Sequence, residues 1–372
     1  MPTNVEAPSD PAIVGSTWPP PDPRQLARRR LASVAPSSSA APPFPPKQPA
    51  ELCKPKGLHG GTGDPNKKLL DHLTVAPDNA DGRTLLCLVY TIGKNHAGGP
   101  TQCRDTWGSR CDGFVVMSDE EDAALPAARV AHEGPEVYNN IWQKVRSIWK
   151  YVHHAYASHF DWFVIGGDDL FVIAPNLRAY LTSPEIAAAS EGGAKPLFLV
   201  RRFQIPNAQL FNSGGAGYVL NRAALELLVK NLDATKCRPH QKVFAEDVNV
   251  AHCLKVAGDV EPFDTRDSTW HADAAVAGSG KENRERFHPF TPGQHLTWRP
   301  PRKRKANGQS VDWYENYNAP WGVGLGVDCC SEHSVSFHYV KPNLMPHVSA
   351  LLFDCREGGA GGGGRGGALS AG

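Results

Sequence analysis

The sequence predicts an α/β fold in which parallel strands alternate with helices. Three short apolar runs, residues 84–91, 113–117 and 162–165, have the length and composition of buried strands. A long segment with helical periodicity, residues 136–157, lies between the second and third runs. Alternation of this kind is typical of a parallel sheet covered by helices.

The first strand, residues 84–91 (TLLCLVYT), leads into a short predicted helix at residues 101–110, and residues 113–117 (GFVVM) form the second strand. The long helix carries an apolar stripe that is most simply explained by core packing. Its members are Val137, Ile141, Trp142, Val145, Ile148, Trp149 and Val152.

The third strand belongs to the stretch FDWFVIGGDDLFV, residues 160–172. Its apolar run breaks at two glycines, which allow a tight turn or the close approach of a ligand. Asp168 and Asp169 follow at once, and a second apolar run begins at Leu170. Carboxylates just beyond the carboxyl end of a strand lie where open α/β sheets bind ligands. The alternative is a solvated turn that carries two acids.

The next segment is a predicted helix at residues 175–181, with a proline in its first turn. A glycine-rich stretch follows at residues 212–224 (NSGGAGYVLNRAA), and a helix is predicted at residues 222–231. The glycines could cradle a phosphate or let a sugar approach the backbone. Their spacing is not that of a dinucleotide fingerprint.

A further helix opens with Glu246 and Asp247. Acids in a first turn interact favourably with the helix dipole, so helix capping is the alternative to a catalytic role.

The last third of the core is irregular and aromatic, with FHPF at residues 287–290 and WYENY at residues 313–317. Such rings occur both at sugar-binding surfaces and in ordinary cores. Residues 335–340 read as a strand that carries His338, for which a structural role is the alternative to metal binding. The basic run at residues 301–305 (PRKRK) lacks the interleaved aromatics of a single-strand nucleic-acid platform and is most simply a solvated insertion.

Composition sets the limits of the domain. Residues 1–78 are rich in Pro, Ser and Ala and are predicted to be a disordered tail or linker. Residues 79–356 are predicted to be the folded domain, and residues 357–372 a glycine-rich tail.

Lys and Arg (39) nearly balance Asp and Glu (38), which argues against a nucleic-acid or membrane-surface partner. No apolar run is long enough for a membrane span, and no signal peptide is recognisable. The nine cysteines indicate an oxidising compartment.

Six motifs in a fixed order give the core, from about residue 85 to residue 340, its family resemblance. They are LLCLVYT with RDTWGSRC, DWFVIGGDDLFVI, SGGAGYVL, AEDVNVAHCL, RFHPFTPGQHL, and WYENY with DCCSEHSVSFHYV. This core resembles the core 1 β-1,3-galactosyltransferases (T-synthases) of glycosyltransferase family 31, which are relatives of Fringe.

The resemblance implies a GT-A (Rossmann-like) fold and an inverting β-1,3-glycosyltransferase that uses a UDP-sugar and Mn²⁺. The expected donor is UDP-galactose, and the expected acceptor is GalNAc linked to Ser or Thr of a glycoprotein. By position, Asp169 and His338 would bind the metal, a donor set that suits Mn²⁺. Asp247 would be the general base.

The resemblance also implies supporting roles. Asp168, Arg104 and Lys144 would lie at the donor nucleotide. The acceptor would be met by Glu246, Trp313, Tyr314 and Tyr317. Disulfides are implied for Cys87–Cys111, Cys237–Cys253 and Cys329–Cys330, with Cys53, Cys103 and Cys355 unassigned. Family members are type II membrane proteins of the Golgi and secretory pathway, although this sequence shows no anchor. A homodimer is left open.

Gly167 stands where the family has the first acid of an Asp-Asp-Asp motif. A catalytically weakened relative that binds sugars or acts as a chaperone-like partner is therefore the main alternative to an active enzyme. A nucleic-acid-binding protein, suggested by the basic runs at residues 28–30 and 301–305, is the third hypothesis.

Overall fold

The computed structural model describes residues 49–55, 63–77, 83–204, 210–267 and 284–355. The strands of the described residues are β1 Leu85–Tyr90, β2 Gly113–Ser118, β3 Ala127–Arg129, β4 Trp162–Gly167, β5 Phe171–Val172, β6 Phe198–Val200, β7 Arg202–Gln204, β8 Leu210–Asn212, β9 Tyr218–Asn221, β10 Phe263–Asp264, β11 Phe287–His288 and β12 Ser336–Phe337. Seven of them form a central sheet with the order β10-β6-β9-β4-β1-β2-β3.

The central sheet is mostly parallel. Strand β1 pairs in parallel with both β2 and β4, and β2 pairs in parallel with β3. Strand β9 is the exception to the predicted parallel arrangement, because it runs antiparallel to both β4 and β6. Its amino end therefore lies at the carboxyl end of β4, where Tyr218 is paired with Ile165.

Two smaller sheets complete the strand pairing. Strand β12 lies between β11 and β5, and it runs antiparallel to β5. This pairing brings the end of β12 beside the chain that follows β4. Strands β7 and β8 form a separate antiparallel pair.

The helices of the described residues are α1 Pro49–Leu52, α2 Pro65–Leu70, α3 Gly99–Thr106, α4 Ile141–Tyr156, α5 Ala174–Leu181, α6 Pro184–Ala189, α7 Arg222–Asn231, α8 Glu246–Gly258, α9 Pro292–Thr297, α10 Trp313–Tyr317 and α11 Met345–Phe353. None of the helices in these ranges is both long and apolar enough to cross a membrane.

Both faces of the sheet are buried, as the apolar runs predict. Along β1, Cys87 and Val89 belong to one core cluster, and Leu86 and Leu88 belong to the other. The first cluster includes residues of α2, α3, α5 and α11, and the second includes residues of α4, α7 and α8. The α/β class is confirmed.

The long helix begins later than predicted. It starts at Ile141 after a 3₁₀ turn, Tyr138–Asn140. Trp142, Val145, Ile148, Trp149 and Val152 are fully buried, as expected of the stripe. Val137 lies before the helix and is 52% exposed, so including it in the stripe was wrong.

Part of the segment predicted to be a tail is folded. Helix α2 packs against α9 and α11, and Leu69, Leu70 and Leu73 are buried. The composition of residues 1–78 averages over this short apolar patch, and the tail prediction is wrong for residues 49–55 and 63–77. Residues 1–48, 56–62, 78 and 357–372, to which the remaining tail predictions apply, lie outside the described residues.

Candidate functional site

The two acids of the DWFVIGGDDLFVI motif follow directly on β4. Asp168 accepts hydrogen bonds from Thr91 Oγ1 (2.6 Å) and Asn95 Nδ2 (3.0 Å). Thr91 and Asn95 follow β1, the parallel neighbour of β4. Adjacent parallel strands end at one edge of a sheet, so the fold delivers these polar groups to the same place.

Asp169 meets His338, which lies one residue beyond β12. The two residues are about 170 positions apart in sequence, yet His338 Nε2 is 3.2 Å from Asp169 Oδ1. The other carboxylate oxygen is 2.6 Å from Lys341 Nζ. Burial acts to raise the pKa of Asp169, but the neighbouring His338 and Lys341 outweigh it and lower the pKa to about 2.

The donor atoms at this pair fit a divalent ion. Two ligand atoms bound at right angles, each at roughly 2.1 Å, lie about 3.0 Å apart. The 3.2 Å between His338 Nε2 and Asp169 Oδ1 is close to that spacing. One carboxylate with one imidazole is a donor set that suits Mn²⁺.

A second pair of acids opens α8. Asp247 Oδ2 accepts a hydrogen bond from the backbone N–H of Gly214 (2.8 Å), and Asp247 Oδ1 accepts one from Val248 N–H (2.8 Å). Burial raises the pKa of Asp247, and these N–H groups oppose the rise. Asp247 is a partly exposed residue, whereas its neighbour Glu246 is buried.

Glu246 is the buried member of this pair. Its Oε2 accepts a hydrogen bond from Tyr218 OH (3.0 Å), which in turn accepts one from Trp149 Nε1 (3.2 Å). Burial, followed by the charge of Asp247, raises the pKa of Glu246 well above its ordinary value. Glu246 is therefore suited to fix the start of α8, and Asp247 is the more accessible base.

The glycine-rich turn Gly214–Ala216 connects the two groups of acids. A Cβ atom on Gly215 would lie 2.3 Å from ring atoms of His338, and one on Gly214 would lie 2.7 Å from Glu246 Oε1 and 3.0 Å from Asp247 Cβ. Larger residues would push these groups away. The glycines thus allow His338, Glu246 and Asp247 to approach one stretch of backbone.

Tyr90 is a further candidate for the site, to which the sequence analysis assigned no role although it lies in the motif LLCLVYT. It ends β1, and its pairing partner in β4 is Gly167. Burial raises the pKa of Tyr90, and Glu246, Asp247 and Asp169 raise it further. The signal was its place at the carboxyl end of the first strand, next to the strand that delivers the acids.

Lys144 and Arg104 do not reach the acids directly. Lys144 is buried, with Nζ 2.5 Å from Thr91 O and 3.0 Å from Glu136 Oε2. It therefore supports the segment whose Thr91 hydroxyl holds Asp168. Arg104 donates to Asp105 Oδ1 (2.7 Å) and to Ala124 O (2.7 Å).

The three aromatic residues assigned to the acceptor form a cluster with Phe203. Trp313 is 46% exposed, whereas Tyr314 is buried and its hydroxyl accepts a hydrogen bond from Arg201 (3.1 Å). Trp313 can meet a ligand. Tyr314 packs the core beneath it.

The structure has all three disulfides that the resemblance implies, Cys87–Cys111, Cys237–Cys253 and Cys329–Cys330. A fourth, Cys53–Cys355, joins two cysteines that were left unassigned, and Cys103 is a buried free thiol. Cys330 also lies near His288 and His295, a group with metal-ligand spacing. Its sulfur is bonded to Cys329 and is therefore not available as a thiolate ligand.

Comparison with known proteins agrees with the motifs. The chain is 29% identical over 297 residues to a glycoprotein-N-acetylgalactosamine 3-beta-galactosyltransferase 1 of Xenopus laevis, which covers 78% of this chain and 73% of the relative. It is 23% identical over 282 residues to chondroitin sulfate synthase 3 of Mus musculus, covering 68% of this chain and 30% of that longer protein. No family model matches the chain. The resemblance to the core 1 β-1,3-galactosyltransferases is confirmed, because the chain is similar over most of its length to a galactosyltransferase of this type.

Proposed function

We propose that this protein is an inverting β-1,3-galactosyltransferase that transfers galactose from UDP-galactose to N-acetylgalactosamine linked to Ser or Thr of a glycoprotein. The observation that carries the proposal is the arrangement around Gly214 and Gly215. These adjacent glycines place an accessible carboxylate, Asp247, beside a carboxylate–imidazole pair, Asp169 and His338. A GT-A fold accounts for the mostly parallel sheet whose carboxyl edge carries the acids.

In this proposal Asp247 acts on the acceptor. Its carboxylate accepts the proton of the sugar hydroxyl as the hydroxyl oxygen forms a bond to the anomeric carbon of galactose. The bond between that carbon and the diphosphate oxygen breaks, and its electron pair leaves with UDP. Attack opposite the leaving group inverts the α-linked donor to a β-linked product. Base catalysis of this kind contributes roughly 10² to 10⁴ in rate.

Asp169 and His338 would hold Mn²⁺, with Asp168 beside them at the donor nucleotide. When bound, Mn²⁺ would supply positive charge that stabilises the negative charge on the diphosphate of the departing UDP. Lys341, whose amine lies 2.6 Å from Asp169 Oδ2, is exposed enough to turn towards the same phosphates. Lys144 keeps Asp168 in position through Thr91.

The four disulfides support an oxidising, secretory compartment such as the Golgi as the site of action. We also propose that the catalytic domain extends beyond the boundary at residue 79 to include the segments at 49–55 and 63–77, since Cys53 is bonded to Cys355.

The experiment is a transfer assay with UDP-galactose and an α-linked N-acetylgalactosamine glycoside, with Mn²⁺ and with EDTA. The proposal predicts a β-1,3-linked disaccharide in the presence of Mn²⁺ and little product with EDTA. A protein that binds UDP and the glycoside but forms no product would instead be the catalytically weakened relative, which Gly167 favours.

A further inference from the structure

Two large aromatic rings lie exposed beside the acid cluster. Tyr138 is 71% exposed and Phe244 is 54% exposed. Their centroids are 5.9 Å apart and the ring planes differ by 12°. Large aromatic side chains are usually covered in folded proteins, and an exposed cluster of them indicates a binding surface.

Hydrogen bonds hold together the two backbone segments that carry these rings. Tyr138 opens the 3₁₀ turn Tyr138–Asn140, and Asn140 Nδ2 donates to Glu133 O (2.7 Å) and Pro135 O (3.0 Å). The N–H of Trp142 donates to Val243 O (3.2 Å), which joins this turn to the segment that carries Phe244. Binding to such a surface would order few additional groups, which favours affinity.

The pair lies on the side of the site that holds Asp247. Phe244 precedes Asp247 by three residues, and its carbonyl oxygen accepts a hydrogen bond from Glu246 N–H (2.9 Å). Burial raises the pKa of Tyr138. Nearby carboxylates raise this pKa further, and among them Asp247 has the largest effect and Asp169 the smallest. Tyr138 therefore lies within electrostatic reach of the proposed base.

We propose that Tyr138 and Phe244 form an acceptor subsite, on which the apolar C–H face and N-acetyl methyl group of an N-acetylhexosamine pack. This inference rests on the proposed function, because it assigns the pair to the acceptor rather than to the donor. A flat aromatic surface beside the base would hold the sugar ring so that one hydroxyl points at Asp247. Trp313 belongs to a different aromatic cluster, so the subsite adds to the one that the resemblance implies.

The test measures binding directly, with methyl α-N-acetylgalactosaminide as the probe in saturation-transfer NMR on the full chain. Tyr138→Ala and Phe244→Ala should each raise the Kd of the glycoside about tenfold, a value in line with the worth of an aromatic contact. Tyr138→Phe should bind like the unaltered protein, because it keeps the ring. Val256→Ala, which changes a 38% exposed side chain further along α8, is the matched control.

The Kd of UDP, measured by calorimetry on the same variants, separates the outcomes. Unchanged UDP affinity with weakened glycoside binding supports the subsite. Unchanged glycoside binding in both alanine variants overturns it, as does a loss confined to UDP, which would place the pair at the donor. If the unaltered protein binds the glycoside through these rings but transfers no galactose, the proposed function fails while the subsite stands.

Discussion

At the scale of single residues, the chemistry depends on how differently the structure treats neighbouring carboxyl groups. Asp169 has an imidazole and an ammonium group beside it, and its pKa is lowered to about 2. Burial raises the pKa of both Glu246 and Asp247. Carboxyl groups with pKa values shifted apart are a recurring sign of divided roles at an active site. In the proposed mechanism, Asp169 would be the charged acid on the donor side and Asp247 the base.

Asp247→Asn keeps the shape of the side chain but removes the group that accepts a proton. We expect the Kd of UDP to stay near that of the unaltered protein while turnover falls by roughly two orders of magnitude or more. Calorimetry and initial rates give the two values. Equal losses in UDP binding and turnover would show that Asp247 is only a cap for α8.

The pH dependence of transfer tests the same residue. A base works only when it is ionised, and the pKa of Asp247 is raised from its ordinary value of 3.8. Activity is therefore present above this raised pKa and is lost as the pH falls through it. The acid limb of kcat/KM should have its midpoint above 3.8. The residual activity of Asp247→Asn should lack this limb; if the limb stays unchanged, another group causes it.

Gly167 is a position where an acid can be restored. Its φ lies outside the left-handed region, and a Cβ atom would be 3.4 Å from Asp169 Oδ1 and 3.7 Å from the Tyr90 ring, without serious overlap. Gly167→Asp should fold normally and lower the Kd of UDP in the presence of Mn²⁺, because each added hydrogen bond contributes about 0.5–3 kcal/mol. Calorimetry with and without Mn²⁺ measures this. Weaker Mn²⁺-dependent binding would show that the added carboxylate repels Asp169 or blocks the donor.

At the scale of elements, the turn Gly214–Ala216 determines how the halves of the site meet. Gly215→Ala places a methyl group where the His338 ring now lies, 2.3 Å away. We expect this change to displace His338 and to weaken Mn²⁺-dependent UDP binding about tenfold or more, since ligand geometry is lost. Gly63→Ala, where the added atom meets open space, is the control and should bind UDP normally. Unchanged UDP binding by Gly215→Ala would contradict the assignment of His338 as a metal ligand.

The helices and strands could be predicted from the sequence better than the contacts between them. Residues 222–231 match α7, and the strands at 84–91 and 113–117 match β1 and β2 within a residue. Their apolar periodicity is local, so it can be read from the chain. Tyr90 and the stacked pair Tyr138–Phe244 were missed because their roles depend on segments far apart in sequence. The antiparallel direction of β9 is likewise a property of the sheet, not of its four residues.

At the scale of the whole molecule, the segment before β1 is part of the fold. The Cys53–Cys355 disulfide joins the first described segment to the last, over a sequence separation of 302 residues. Beside it, His347 of α11 lies 2.7 Å from Asp64, and both side chains are buried. The carboxylate of Asp64 also caps α2 through Asn66 N–H (2.9 Å). A disulfide, a buried hydrogen bond and a helix cap thus hold one corner of the domain.

Leu70→Ala tests whether this segment contributes to stability. Leu70 is fully buried, so we expect the free energy of unfolding to fall by about 2–5 kcal/mol in chemical denaturation. Leu325→Ala, at a position that is 42% exposed, should change it by less than about 1 kcal/mol. If the Leu70 variant is as stable as the control, residues 63–77 contribute nothing to the stability of the fold.

The most direct test of the central claim is an NMR analysis of the product formed from UDP-galactose and an α-linked N-acetylgalactosamine glycoside with Mn²⁺. We expect galactose in β linkage to O3 with the unaltered protein, and almost no product with Asp247→Asn at saturating UDP-galactose. An α-linked product would contradict inversion, and undiminished turnover by Asp247→Asn would contradict the assignment of the base.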